Sequence, residues 1–297
     1  MLLGIVGWDR DEFESLHLRD LGRALGHDTT LFTLDDVRWG PTAGGHGVLA
    51  GDRPAAELDV IVSRAQLRRE SWQADLENLT LLSGVPGTPI LDPAAVYAAA
   101  ESKFVQVQRL GAAGIPVLPT VCCRSAGDVR DALDAWGDVV LKPSFGWEGN
   151  DVERIGGVAR HTDVAGRLLE RYGSVLAQPY VPHPEGDMRL TVVGGEVALS
   201  FRRVPQGGGW KANVAQGARA EPLTPSGELV ELALRASRVM GITIAGVDLM
   251  RLGDGHVVVE VNNGPGWHPL SDEQEWAAAS AIIRYAERVA AGRPAPG

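Results

Sequence analysis

Near its C-terminus the chain carries two apolar runs on either side of a glycine turn. They are Gly246-Val247-Asp248-Leu249-Met250-Arg251-Leu252, then Gly253-Asp254-Gly255, then His256-Val257-Val258-Val259-Glu260-Val261-Asn262-Asn263. The pattern predicts a β-hairpin. Centring the turn on Asp254 sets Asp248 opposite Glu260 and Gly246 opposite Asn262. Side chains alternate faces along a strand, so Asp248, Glu260 and Asn262 emerge together. Two facing carboxylates repel, and a divalent cation between them is the simplest remedy. Three hard oxygen donors suit Mg²⁺, with Mn²⁺ as a substitute, and Mg²⁺ draws its remaining ligands from water and phosphate. A solvated polar face fits the same residues, so the hairpin alone leaves both readings open.

Composition narrows the classes. At 297 residues, with 44% hydrophobic and 22% charged residues, the chain reads as globular and large enough for two or more lobes. No apolar run approaches the length of a membrane span. Asp9, Asp11, Glu12 and Glu14 directly follow the apolar start, which is wrong for a signal peptide. The expectation is a cytoplasmic protein with no membrane partner. A net charge of −10 argues against nucleic acid, which needs basic surface. The two cysteines, Cys122 and Cys123, are adjacent and have neither C-x-x-C spacing nor a nearby histidine. They read as reduced core residues.

Alternating strands and helices over 1–95 predict an open parallel α/β domain: strands at Leu2 to Val6, Thr30 to Leu34, Leu58 to Val62 and Pro89 to Leu91, with helices from His17 to Leu25 and Glu70 to Ser83. Gly40 to Gly51 reads as a loop. Residues 96–175 read as a smaller α+β lobe. One helix from Pro93 to about Leu110 carries Lys103, strands follow at Val117 to Cys122 and Val139 to Lys142, and helices at Ala126 to Trp136 and Val164 to Tyr172. Residues 176–297 read as a larger antiparallel lobe. Gly194-Gly195 is a tight hairpin turn. Thr224-Pro225 starts a helix that ends at Gly241. Asp272 to Ala290 is an amphipathic helix with Trp276, Ala279, Ile283 and Ala286 on its apolar face.

Three further segments carry chemistry. Val139-Val-Leu-Lys142-Pro-Ser-Phe-Gly146-Trp-Glu-Gly149-Asn-Asp151 delivers a lysine from a strand into a glycine loop whose backbone N–H groups can approach phosphate. It is neither a Walker A loop nor a G-x-G-x-x-G fingerprint, and a surface turn with a chance lysine fits it too. Gln178-Pro-Tyr180-Val181, followed by Asp187-Met-Arg189, can line a flat base and a ribose, or simply end a strand. Phe201-Arg202-Arg203 precedes the triple glycine Gly207-Gly208-Gly209 and Trp210-Lys-Ala-Asn213, a mobile stretch beside an anionic site or a solvated hairpin tip.

In that order, these segments resemble the ATP-grasp ligases, specifically their RimK-like branch. The resemblance runs from the Leu58-to-Arg64 strand to Gly266. Its most specific parts are Ala245-Gly-Val-Asp248-Leu and Val259-Glu260-Val-Asn262-x-x-Pro-Gly266, with Trp210-Lys-Ala-Asn213 in addition. It implies an ATP-grasp fold with an N-terminal parallel α/β domain, a mobile α+β lid and a larger antiparallel-sheet lobe. ATP lies between the lobes. Lys103 and Lys142 contact phosphates, with Lys142 also near adenine, under a loop bearing Gly146 and Gly149. Gln178, Tyr180 and Val181 form the adenine hinge, and Asp187 meets the ribose. Asp248, Glu260 and Asn262 hold one or two Mg²⁺ ions. Arg189 and Arg202 stabilise the transferring phosphoryl group, with Asn213 beside them. The implied reaction joins a small amino-acid-like carboxylate to an amine through an acyl phosphate and releases ADP. Ring closure of one molecule bearing both groups fits the same residues, and the rival from another class is a regulatory ATP-binding protein. Trp8, Arg10 and Arg64, at strand ends, are candidate acceptor contacts. A homodimer is compatible with the sequence. The chain departs from the family pattern at Asp151, where relatives usually have glycine, and at neutral Gln216, where relatives often have a basic residue.

Overall fold

The computed structural model describes residues 1–146, 149–156, 161–207, 209–212 and 217–292. A parallel sheet orders the strands Asp28–Thr33, Leu2–Gly7, Val60–Arg64 and Ile90–Leu91. Helices Phe13–Ala24 and Trp72–Ser83 accompany it. The first begins four residues earlier than the apolar spacing indicated. The stretch read as a loop, Gly40 to Gly51, falls in an antiparallel ribbon of Val37–Thr42, Gly45–Ala50 and Arg53–Pro54. Val37, Val48 and Ala50 are buried there, so a few apolar side chains outweigh the glycines.

The single helix expected from Pro93 to Leu110 is two, Ala94–Ala100 and Lys103–Ala112. Ser102 breaks the run by capping the second helix, its Oγ accepting from the Val105 N–H. The cap makes Lys103 a first-turn residue. Ala99, Ala100, Leu110 and Ile115 pack into the core under the large sheet. By packing, the second helix therefore belongs with the large lobe and not with the lid, while Ala94 and Tyr97 of the first pack into the core of the parallel domain.

The small lobe has an antiparallel sheet ordered Glu153–Gly156, Asp138–Pro143, Val175–Pro179, Val121–Cys123. Its own core, including Cys123, Leu141, Leu168 and Ala177, draws only on this lobe. Burial pushes the Cys123 thiol up to about 11, as expected for an inert core residue.

The large sheet runs Arg219–Pro222, Glu196–Val204, Asp187–Val193, Ile244–Leu252, Gly255–Asn263, all antiparallel. Gly194 and Gly195 turn its second and third strands with φ of 58° and 88°, values that suit a primed hairpin turn. Helix Gly227–Met240 is capped by Ser226, not by Thr224, and closed by left-handed Gly241. Helix Asp272–Ala290 buries Ala279, Ile283 and Ala286 against the parallel sheet, while Trp276 is half exposed. No helix among the described residues is long and apolar enough to cross a membrane.

Candidate active site

The parallel sheet, lid sheet and large sheet meet around a cleft of about 630 Å³, within the range of small-molecule sites. The hairpin forms its floor. Asp248 pairs with Glu260 and Gly246 with Asn262, as the sequence predicted, but by a different route. The turn is the two-residue Gly253-Asp254, and a bulge opposite Asp248/Leu249 inserts Val259 as an extra residue. Without the bulge, a two-residue turn would set Asp248 against Val259. The bulge restores the acid pair and keeps Glu260 on the cleft face.

The acids are neutralised within the protein. Asp248 is 5% exposed and accepts a bidentate pair of hydrogen bonds from Arg189, its Oδ2 lying 2.8 Å from Nη2. Arg203 adds a contact at 2.9 Å. Gly246 makes room for this, since a Cβ there would sit 3.0 Å from Arg189 Nη1 and 2.8 Å from Pro265 Cβ. Burial pulls the Asp248 carboxyl upward, but Arg189 and Arg203 outweigh it and hold it below the usual range. Glu260 takes Lys103 Nζ at 2.8 Å, and Lys103 also donates to the Gly146 carbonyl at 2.7 Å. Asn262 Nδ2 donates to the Gly246 carbonyl at 3.3 Å.

The arginine partner corrects the sequence expectation. Arg203, not Arg202, lines the cleft and grips Asp187 at 2.7 and 2.5 Å. The Gly194-Gly195 turn with an unbroken ladder would have set Arg202 against Asp187. Ala198 is instead a bulged residue, so Asp187 meets Arg203 while Arg202 pairs with Met188. Met188 belongs to the core on the opposite face, so Arg202 lies away from the cleft. Arg203 was discoverable only through that bulge, which the sequence does not announce.

The remaining lid and hinge residues converge. Lys142 is partly buried, and loss of solvation lowers its ammonium below an ordinary lysine even with Glu260 nearby. Gln178 donates to Thr120 at 2.9 Å, but its buried Oε1 has no partner among the described residues. Gly146, Gly149, Tyr180 and Val181 complete that wall. The Arg154 guanidinium stacks on Tyr180 at 3.5 Å, and Trp210 meets the Tyr180 edge at 5.9 Å. Lys211 Nζ donates to the Gly149 carbonyl at 3.1 Å, tying a large-lobe loop to the glycine loop.

Asp151 resolves its own departure from the family. Its φ is +53°, the left-handed region that favours glycine and that aspartate tolerates better than most. Its carboxylate turns to Tyr172, Arg171 and Arg167. Tyr172 first, then the two arginines, lower it below the usual carboxylate range. Asp151 is therefore a loop anchor and does not confront phosphates. Asn213 and Gln216 lie outside the described residues.

At the other end of the cleft are Trp8, Phe13, Arg64, Trp267 and His268. Trp8 and Arg64 are there as expected, but Arg10 pairs with Asp36 on the outside. Arg64 is 4% exposed and spends its charge on Glu12, the Pro265 carbonyl at 2.8 Å and the Trp267 ring at 4.9 Å. It supports the wall more than it offers a free cation.

The donors fit a metal–nucleotide complex. Lys142 is a partly buried cation with no anion in ion-pair contact among the described residues, Gln178 Oε1 is an orphaned acceptor, and Asp248, Glu260 and Asn262 are hard oxygen donors. Fold and cleft thus define a nucleotide-dependent ligase architecture, two antiparallel lobes closing on an acidic floor.

The comparisons narrow that class. The profile of the RimK-like ATP-grasp domain matches residues 100–286. A tetrahydromethanopterin:alpha-L-glutamate ligase of Methanosarcina acetivorans is 27% identical over 272 residues, 81% of this chain and 83% of the relative. Among solved structures, a RimK-domain ATP-grasp protein from Sphaerobacter thermophilus superposes with a TM-score of 0.72 at 24% identity, covering 97% of this chain and all of that one. The ATP-grasp ligase PsnB, in complex with a variant of its minimal precursor, Mg and ADP, gives 0.70 at 20% identity, covering 96% and 98%. The chain belongs to the RimK-like ATP-grasp family and is an ADP-forming carboxylate–amine ligase.

Proposed function

We propose that the chain activates a small amino-acid-like carboxylate with MgATP and joins it to an amine. The observation that carries this reading is the charge arrangement in the cleft: Lys103 and partly buried Lys142 gathered at the Asp248–Glu260–Asn262 ladder. Phosphoryl transfer needs positioning and charge neutralisation more than a covalent protein group. A phosphate beside Lys142 favours its charged form. Lys103 moves from Glu260 to phosphate, and Arg189 and Arg203 release Asp248 to meet the developing acyl phosphate. Asp248, Glu260 and Asn262 would hold one or two Mg²⁺ ions, which would supply neutralisation of phosphate charge. Gln178 Oε1 accepts from the adenine amino group, and Asp187 turns to the ribose.

An amine at the Trp8–His268 end displaces phosphate to give the amide. Trp210 and Lys211, bridging the lobes, exclude water from the acyl phosphate. Dependence on ATP favours a cytoplasmic setting. The test is ADP and amide formation from MgATP with pooled amino acids, read by mass spectrometry. Absence of ADP above background in the presence of every acid would sink the reading. Glu260→Ala should abolish turnover and leave the thermal melt within a few degrees of wild type. Retained turnover would remove the metal site.

A further inference from the structure

We propose that His268 is the base that takes a proton from the attacking amine, with Glu275 fixing its ring. This rests on the ligase reading above. His268 lines the acceptor end of the cleft. Its Nδ1 lies 2.8 Å from Glu275 Oε1. Glu275 is 8% exposed and also accepts the Leu270 N–H at 2.9 Å. An ionised carboxylate only accepts, so the ring proton sits on Nδ1 and Nε2 keeps its lone pair. Nε2 has no partner among the described residues.

The ring is held but not sealed. It stacks on Phe13 with centroids 4.0 Å apart, and its backbone N–H donates to Glu14 Oε1 at 3.1 Å. Its side chain is nevertheless 48% exposed. The carboxylates nearby are already engaged: Glu12 by Arg64 and Ser15, Glu14 Oε1 by the Trp267 and His268 N–H groups. His183 also lines the cleft, but it is tied to the Val181 carbonyl at 2.8 Å beside the hinge, at the nucleotide end.

The chemistry requires such a group. A free amine at neutral pH is an ammonium with no lone pair to attack. His268 Nε2 takes one of its protons. The nitrogen attacks the acyl carbon, the bond from that carbon to the phosphate oxygen breaks, and inorganic phosphate leaves with the second proton lost from nitrogen. The imidazolium, stabilised by Glu275, returns its proton to water at the open mouth. The charged and titratable groups facing the ring are Glu275 from helix Asp272–Ala290, Glu14 and His17 from helix Phe13–Ala24, and Arg64 from the parallel sheet.

The test separates the two half-reactions. Wild type, His268→Asn, His268→Gln and Glu275→Gln are incubated with MgATP and the twenty amino acids, with and without hydroxylamine. Hydroxylamine is largely unprotonated at neutral pH, so it traps the acyl phosphate as a hydroxamate without a base. Both His268 variants should lose amide formation by about 10²-fold or more, the scale of general-base catalysis, yet form hydroxamate within about twofold of wild type. Glu275→Gln should fall between. Amide formation within about twofold of wild type in both His268 variants would overturn the proposal. Parallel loss of hydroxamate would overturn it as well, by showing a structural role. Wild type that yields neither hydroxamate nor ADP would overturn the ligase reading itself.

Discussion

The two ends of the cleft are built differently. At the proposed nucleotide end six polar groups stand on strands of the large sheet, Asp187, Arg189, Arg203, Asp248, Glu260 and Asn262, while Lys103 and Lys142 reach in from a helix and from the small-lobe sheet. Their positions follow from register, and each acid already has a cation. At the acceptor end the groups come from segments about 250 residues apart, as when Glu14 holds the Trp267 and His268 N–H groups. There the walls are aromatic, and His268 keeps one nitrogen free. One end is a rigid charge ladder awaiting exchange of partners. The other is a packed loop seam that sets what can be joined.

The contrast predicts a gradient of effects. Removing Asp248 should be the most damaging. Asp248→Ala leaves Arg189 and Arg203 facing each other in a buried place, and breaking such a pair costs about 3–5 kcal/mol, read by denaturant unfolding. A smaller cost would mean the ladder is less rigid than described.

Next comes the pair that distinguishes register from sequence order. Arg203→Ala should lose turnover by about 10²–10³-fold, the scale of one electrostatic donor, whereas Arg202→Ala should stay within about 0.5 kcal/mol of wild-type stability with turnover preserved. Equal losses would break the assignment of faces.

Lys142 gives a pH signature. Its folded ammonium is lowered by burial, so between that lowered value and the ordinary 10.5 the folded state binds fewer protons than the unfolded one. Stability therefore rises with pH across this window and falls as pH drops through it. Lys142→Met should flatten that dependence and abolish ATP-dependent turnover.

Asp151 is milder. Asp151→Ala puts an ordinary side chain at φ +53° and should cost about 1–2 kcal/mol. Asp151→Gly should lose less, with a raised KM for ATP as the readout of the lost anchor. The anchor's contribution is present above the ordinary carboxylate range and is lost as pH falls through its lowered value. Smallest of all, Trp8→Ala should raise the acceptor KM a few fold and leave the KM for ATP unchanged. A change in both would erase the distinction between the two ends.

Much of the fold was legible because its signals are local. The parallel α/β start, the glycine-closed helix at Gly241 and the Asp272–Ala290 helix follow from period and caps. The ribbon from Val37 to Pro54 was not legible, because its strands are glycine-rich and earn their place through a few buried side chains. Nor was the break at Ser102, whose cap competes with an otherwise continuous helical pattern. In the site, the lysines, glycines and hinge residues announced themselves, while Glu275, Phe13 and His268 did not. They meet only because the helix Asp272–Ala290 folds back on the parallel sheet.

The sequence by itself determined which residue types populate the floor of the cleft, since alternation along a strand fixes which neighbours share a face. Only the tertiary structure decided the register. One bulged residue, Val259, keeps Asp248 opposite Glu260 across a turn one residue shorter than it looked, and another, Ala198, exchanges Arg202 for Arg203. A bulge arises from packing on both sides of a sheet rather than from any local residue preference, and each one shifts by a single position which side chain reaches the ligand.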